Sequence, residues 1–307
     1  MSSIYETIFE NPSAKLPDQT NTEWCPGAYE GTILRGSSIL KQHSYTNYKI
    51  ARLVKKFILN PSSENMQQVE NSFRKYTAIS VIDYVLSHMS RMKLPAELLH
   101  NGAIKLTTES AHRDTVKFGI ALLGDERSRI KSLIQQDAEI VRKLSLNEEF
   151  TLYGLVALKN ILPKDQATEI LLDLGEQLTG WGKLALMYEL DYTNPYVRLW
   201  TLKNGCRNSI GLSYLANVCA IKGKLKNYLQ ELEDNELPMD PEYLPGICKI
   251  FLGLLEDHPE NDGIYEYPDA VESANLFRAI VERSPAEIKD KAADVISKLN
   301  AKGIGKS

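Results

Sequence analysis

Tyr45-Thr-Asn-Tyr48-Lys-Ile-Ala-Arg-Leu-Val-Lys-Lys-Phe57-Ile-Leu-Asn60, followed by Pro61, is the stretch from which the architecture of this chain is read. Tyr48, Ala51, Leu53, Val54, Phe57 and Ile58 recur at three- and four-residue spacing, and Lys49, Arg52, Lys55 and Lys56 take the other side. That period belongs to an amphipathic helix with one buried stripe. Pro61 has no amide to donate and crowds the turn before it, so the helix is expected to end at Asn60.

Downstream, a second stripe opens near Ser63, with Glu64 in its first turn. It runs through Val69, Phe73, Tyr76, Ile79, Ile82, Val85 and Leu86 to a break at Pro95. Further helices are expected at 107–123, 126–143, 147–161, 164–178, 181–190, 194–204, 208–221, 223–233, 241–257, 268–283 and 285–300. Asn147 before Glu148 and Glu149, Asn194 before Pro195, and Ser284 before Pro285 and Glu287 read as helix starts. A short polar side chain there accepts an orphan amide, and proline has none to satisfy. Gly124 and Gly205 suit helix exits. No run alternates strictly at two residues, so the expected class is all-α. Residues 1–44 hold Pro12, Pro17, Pro26, Gly27, Gly31 and Gly36 among polar neighbours. They read as an irregular arm packed on the body through Trp24, Tyr29, Ile33 and Leu34, with 45–307 as a single helical-repeat domain.

Two helix pairs can be superposed by eye. Val116-Lys-Phe-Gly-Ile-Ala-Leu-Leu-Gly-Asp-Glu126 followed by Arg127-Ser-Arg-Ile-Lys-Ser-Leu-Ile134 echoes Gly182-Lys-Leu-Ala-Leu-Met-Tyr-Glu-Leu-Asp191 followed by Asn194-Pro-Tyr-Val-Arg-Leu-Trp-Thr-Leu202. In each, an apolar helix reaches an acidic turn and a second helix opens with an arginine beside an aliphatic residue. This arrangement resembles the HEAT and armadillo class of α-solenoid repeats. The resemblance implies stacked helical hairpins, in which the turn acid and the early arginine tie neighbouring repeats together. The spacing, a helix pair every thirty-odd residues between about 104 and 235, is slightly short for that class.

Length and composition are those of a globular chain: 307 residues, 43% hydrophobic and 25% charged. The net charge of -4 offers no overall attraction to phosphate or to an anionic bilayer, so neither nucleic acid nor membrane is an expected partner. The sum hides an asymmetry. Residues 31–143 carry 18 Lys/Arg and 10 Asp/Glu, whereas 160–270 carry 9 and 18, giving +8 and -9. Two docking surfaces of opposite sign are one reading, and solvated helix faces of drifting composition are the other. Cys25, Cys206, Cys219 and Cys248 form no CxxC pattern and read as reduced thiols of a cytoplasmic protein. The first residues lack a basic segment followed by an apolar one, so no secretory leader is expected.

Motifs that carry chemistry fail on context. His112-Arg-Asp114, with His258, matches an iron facial triad in residue type, but positions two apart on a helix point about 200° apart. The same triplet heads kinase catalytic loops, yet neither a phosphate-covering glycine loop nor Asp-Phe-Gly accompanies it. Gly180-Trp-Gly182-Lys-Leu-Ala185 fits a loose dinucleotide fingerprint, but the residues before it, Ile170 to Leu178, read as a helix where a strand is required. Asp83, on an apolar stripe, is a buried-charge candidate. No metal and no cofactor is expected.

The most individual stretch is 180–225, where Trp181, Tyr188, Tyr192, Tyr196, Trp200 and Tyr214 surround Asn204-Gly-Cys-Arg-Asn208. Tyr196 and Trp200, four apart, should share a core-facing side. Cys206 beside Arg207 is a candidate for an acidified thiol without an evident base. Leu199-Trp-Thr-Leu-Lys-Asn-Gly-Cys-Arg-Asn208, with Ala220-Ile-Lys-Gly223, is similar to bacterial helical-repeat proteins often labelled limonene hydroxylase. That resemblance implies a helical-repeat fold, and the label implies an oxygenase. An oxygenase needs a haem-thiolate loop, a flavin site or an iron triad, and Cys206 lacks the phenylalanine and glycines of a haem loop.

The expected function is therefore a protein or peptide interaction module. Its candidate surface comprises Arg127, Arg129 and Lys131 on one unit, and Arg198, Arg207 and Asn208 on another. The alternatives are an oxygenase, or a hydrolase at the aromatic-rich stretch near Trp200, and a HEAT-like DNA glycosylase, for which the +8 region would have to form a basic track.

Overall fold

Helical periodicity predicts a chain whose backbone groups pair within single segments, and the structure is built in that way. This computed structural model describes residues 2–16, 26–30, 44–256 and 263–305. Among them are seventeen α-helices and no strand. In chain order these are α1 (Ile4–Glu10), α2 (Pro26–Tyr29), α3 (Ser44–Leu59), α4 (Ser63–Phe73), α5 (Ala78–Ser90), α6 (Ala96–Thr108), α7 (Arg113–Leu123), α8 (Ile134–Ser145) and α9 (Thr151–Ile161). They continue with α10 (Lys164–Gln177), α11 (Trp181–Glu189), α12 (Pro195–Trp200), α13 (Ser213–Lys222), α14 (Leu225–Asp234), α15 (Leu244–Leu255), α16 (Ala270–Arg283) and α17 (Ala286–Ala301). None is long and apolar enough to cross a membrane. The chain divides into two units, 1–174 and 175–307.

In the first unit, α3 packs on α5, α5 on α7 and α7 on α9, while α6 fills in against α7. Ala51, Val54, Phe57, Val85, Val116, Phe118 and Leu155 are sealed between these layers. Burying each such aliphatic or aromatic side chain contributes about 2 kcal/mol. Beside this stack, α8 and α10 run in the same direction. Gln135 reaches Gln166, Arg142 reaches Asp173, and Arg129 of the preceding turn reaches the Asn160 carbonyl, each pair 31 residues apart.

The second unit repeats the scheme at a longer interval. Here α11 packs on α13, α13 on α15 and α15 on α17, with α14 on α16. Cys206 to the Lys249 carbonyl, the Ser213 amide to Glu256, and Cys248 to the Lys291 carbonyl are all 43 residues apart. Phe251 and Phe277 meet at 4.9 Å between ring centres. Such a pair adds about 1 kcal/mol beyond the area it buries. Gly246 allows α15 to approach the preceding layer, since a Cβ there would run into the carbonyl oxygens of Leu202 and Lys203.

Several boundaries differ from the sequence expectation. The stripe expected to run unbroken from Ser63 is two helices, because Asp114, 36 residues on, accepts the Ala78 amide at 2.6 Å and starts α5 afresh. The helix expected at 107–123 begins only at Arg113. The one expected at 126–143 opens with two short 3-10 turns, Glu126–Ser128 and Lys131–Leu133, before α8. Ser128 Oγ, donating to the Leu122 carbonyl, holds that detour. Helix α6 was not expected at all.

Of residues 1–44, those described include two short helices, α1 and α2. Ser3 and Glu6 form a reciprocal capping box for α1, worth about 1 kcal/mol, and Ile4 and Ile8 are buried. Of the expected anchors, Trp24, Ile33 and Leu34 lie outside the described residues, and Tyr29 is exposed. Among the described residues, contacts to the body come from α1 on α6 and α8, from α2 on α9, from Glu30 to Lys117, and from Asn147, whose amide donates to the Pro12 carbonyl at 2.8 Å.

Candidate functional site

The six residues expected to form a docking surface fall three in each unit, and Arg127, Arg198 and Asn208 are engaged in holding turns. Arg127 forms an ion pair with Asp125 at 2.5 Å and donates to the Leu86 carbonyl at 3.1 Å, so it ties the turn after α7 to the end of α5. The pair holds the Asp125 carboxyl below its ordinary range, its hydrogen bonds from Arg127 overcoming the opposing effect of burial. Arg129 is exposed and donates to the Asn160 carbonyl; Lys131 is exposed. In the second unit Arg198 closes its own turn, donating to the Tyr192 and Thr193 carbonyls. Asn208 does the same, accepting the amides of Ile210 and Gly211 and donating to the Cys206 carbonyl. Arg207 is exposed. The turn acid and early arginine therefore pair at Asp125 and Arg127. In the second copy Asp191 accepts from Thr193 while Arg198 turns to carbonyls.

Arg127 and Arg129 line an open groove of about 730 Å³ in the first unit, together with Asp83, Asp125, Glu126 and Lys159. Asp83 is exposed there, which corrects its reading as a buried charge: its neighbours Val81, Ile82 and Val85 carry the buried face of α5. In the second unit a groove of about 510 Å³ lies between the end of α14 and the start of α15, lined by Leu199, Tyr228, Glu231, Leu237, Asp240 and Tyr243 among others. Tyr228 and Tyr243 stack with ring centres 5.2 Å apart. Both hydroxyls are pushed above their ordinary range, first by burial and then by the Asp240 carboxylate. Across α14, a third groove of about 550 Å³ is lined by Glu233, Asp269 and Glu272. The acidic balance of 160–270 is thus expressed on surfaces.

Two lysines are buried. Lys117, 1% exposed, lies 2.6 Å from Glu149 and 2.9 Å from Glu30, whose other partner is the Tyr153 hydroxyl. Burial pushes this ammonium down, but Glu30, Glu149 and Asp114 outweigh it and hold the ammonium above its ordinary range. Lys183 is equally buried but, among the described residues, faces no carboxylate within ion-pair distance. Its ammonium donates to the Gly175 carbonyl, and burial lowers its pKa to about 8.

The remaining sequence motifs are placed as follows. His112 precedes α7 as a buried cap residue with Thr115 beside its Nδ1, Asp114 serves α5 as described, and His258 lies outside the described residues. Gly180 follows helix α10, and Trp181 packs edge-on against Tyr214 at 5.3 Å. Cys206 is buried, with carbonyls of Leu212 and Lys249 at 3.6 Å, and burial raises the Cys219 thiol well above its ordinary range. Tyr196 and Trp200 do not share the core. Trp200 is buried and Tyr196 is 65% exposed, because the buried edge of short α12 runs through Val197 and Trp200.

Sequence reasoning missed the tyrosine pair and its acidic rim. Tyr228 lies on α14 and Tyr243 is the cap residue before α15, and the reversal over 235–243 brings them together. No protein-family profile, curated protein or solved structure matches this chain.

Proposed function

We propose that the chain is a cytoplasmic HEAT-like helical-repeat module that binds a protein or peptide. The observation that carries this reading is the packing of alternate helices, α3 on α5, α5 on α7 and α7 on α9 in one unit and α11 on α13, α13 on α15 and α15 on α17 in the other, with bonds recurring at 31 residues around α8 to α10 and at 43 residues in the second unit. Helical hairpins stacked in that manner bury a continuous core and leave side-chain-lined grooves along their edges, which suits extended partners. The charge division between +8 and -9 supports recognition by electrostatic complementarity, which acts chiefly on association rate and specificity.

Arg129, Lys131 and Arg207 are exposed, so they can be exchanged without dismantling the turns that Arg127, Arg198 and Asn208 hold. The test is quantitative affinity capture from lysate by the full chain and by a variant carrying Arg129→Ala, Lys131→Ala and Arg207→Ala. The expected result is a saturable partner depleted from the variant, whose melting temperature is unchanged. Equal retention by both forms overturns the assignment of these residues. Retention no greater than by a charge-matched control protein overturns the module reading itself.

A further inference from the structure

The groove between α14 and α15 has a chemical character that names its occupant. Its floor is apolar and its rim anionic. Leu199 and Leu237 are 38% and 47% exposed, far more than a settled core allows, and the rings of Tyr228 and Tyr243 form a joint face. Glu231 and Asp240 line it, and no lysine or arginine does. Lys203, whose charge acts on Tyr243, is engaged with Glu242 at 3.0 Å. Glu231 is exposed and forms no ion pair among the described residues.

The groove is also held open by its own architecture. Arg283 of α16 donates to the carbonyls of Leu232 and Leu237 and pairs with Glu233, and the Met239 amide donates to Ser284. These bonds fix the backbone at Leu232, Leu237 and Met239, so the reversal that brings Tyr228 and Tyr243 together is set before anything binds. A preformed site loses less entropy on binding than one that must be ordered.

We propose that this groove binds a cationic peptide segment in which arginine alternates with proline or aliphatic residues. The guanidinium lies on the Tyr228 and Tyr243 faces and pairs with Glu231 and Asp240, while the neighbouring apolar residue covers Leu199 and Leu237. Arginine suits both contacts, since its planar fork stacks on aromatic rings and meets carboxylates with directed hydrogen bonds. An acidic partner is repelled by the same rim. The inference rests on the reading of the chain as a binding module and assigns one of its surfaces.

The experiment uses the full chain and a fluorescein-labelled peptide of alternating arginine and proline, followed by anisotropy at moderate salt. Saturable binding is expected, weakened about tenfold by Glu231→Gln combined with Asp240→Asn, a pair that keeps the Asp240 oxygen accepting the Glu242 amide. Tyr243→Ala should weaken binding similarly and Tyr243→Phe should not, since the ring face is what the cation uses. Unchanged affinity in the double carboxamide variant overturns the proposal, as does equal binding of a glutamate-proline peptide. Loss of binding on Glu233→Gln with Glu272→Gln, with the first pair silent, transfers the site to the neighbouring acidic groove. If no peptide binds while the capture experiment still retains a partner sensitive to Arg129, Lys131 and Arg207, this groove assignment fails and the module reading stands.

Discussion

Lys183 holds its ammonium 4.5 Å from the centre of the Trp200 indole, whose N–H donates to Glu176 at 2.6 Å. The lysine thus has a ring face and the Gly175 carbonyl for company and, among the described residues, no countercharge at ion-pair distance. A cation on a buried tryptophan gains about 2 kcal/mol, less than the cost of removing an ammonium from water, and the pKa falls to about 8.

The pH dependence of stability follows from that fall. Because the folded pKa lies below the ordinary 10.5, the unfolded chain binds the extra proton between about pH 8 and 10.5. Unfolding free energy from this group therefore rises with pH across that window, by about 3 kcal/mol at most. Lys183→Met should flatten the rise and equal or exceed the parent in stability at pH 7. Urea titrations of both proteins at pH 7, 8 and 9.5 measure it; parallel curves would refute the account.

Lys117 predicts the opposite behaviour. Its removal in Lys117→Met takes from Glu30 its ammonium partner and leaves Glu149 to Arg113, and should cost about 4 kcal/mol. Adding Glu30→Gln to that variant should restore part of the loss, because one buried charge then disappears. A double-mutant cycle by thermal unfolding checks the sign of the coupling.

Gly246→Ala should destabilise by about 2 kcal/mol or more, since its methyl group meets backbone oxygens of Leu202 and Lys203, which cannot rotate away. A melting temperature within a degree of the parent would contradict the close helix approach drawn here.

Glu236 ends α14 with φ 53°, and the Leu237 amide closes back on the Leu232 carbonyl, a turn that favours glycine. Glu236→Gly should therefore stabilise by about 0.5–1 kcal/mol, read as a rise in denaturant midpoint with unchanged slope.

Legibility in the sequence tracked how local each cause was. Helix α3 and the Asn194-Pro195 start depend on neighbours within one turn and stand where periodicity placed them, the Asn194 side chain capping the Tyr196 amide, but Tyr48 of the expected stripe is exposed and Ile50 is buried. Helix α6 is absent from the sequence reading; within it, Gly102 is where Ile58 presses close, leaving no room for a Cβ. The exposed arginines were recognisable as charged residues near turns. Nothing in their spacing told that Arg127 and Asn208 would be consumed by backbone groups.

Residue order alone determined that the regular structure of the described residues is helical, since a 3.6-residue period and local caps act within a few positions. Tertiary structure decided the rest: that Lys117 meets Glu30 from 87 residues earlier while Lys183 meets only a ring and a carbonyl, and that Tyr228 and Tyr243 share an acidic groove. Charge burial and groove formation depend on which distant surfaces touch, and contact between distant surfaces is set by packing, which no single segment encodes.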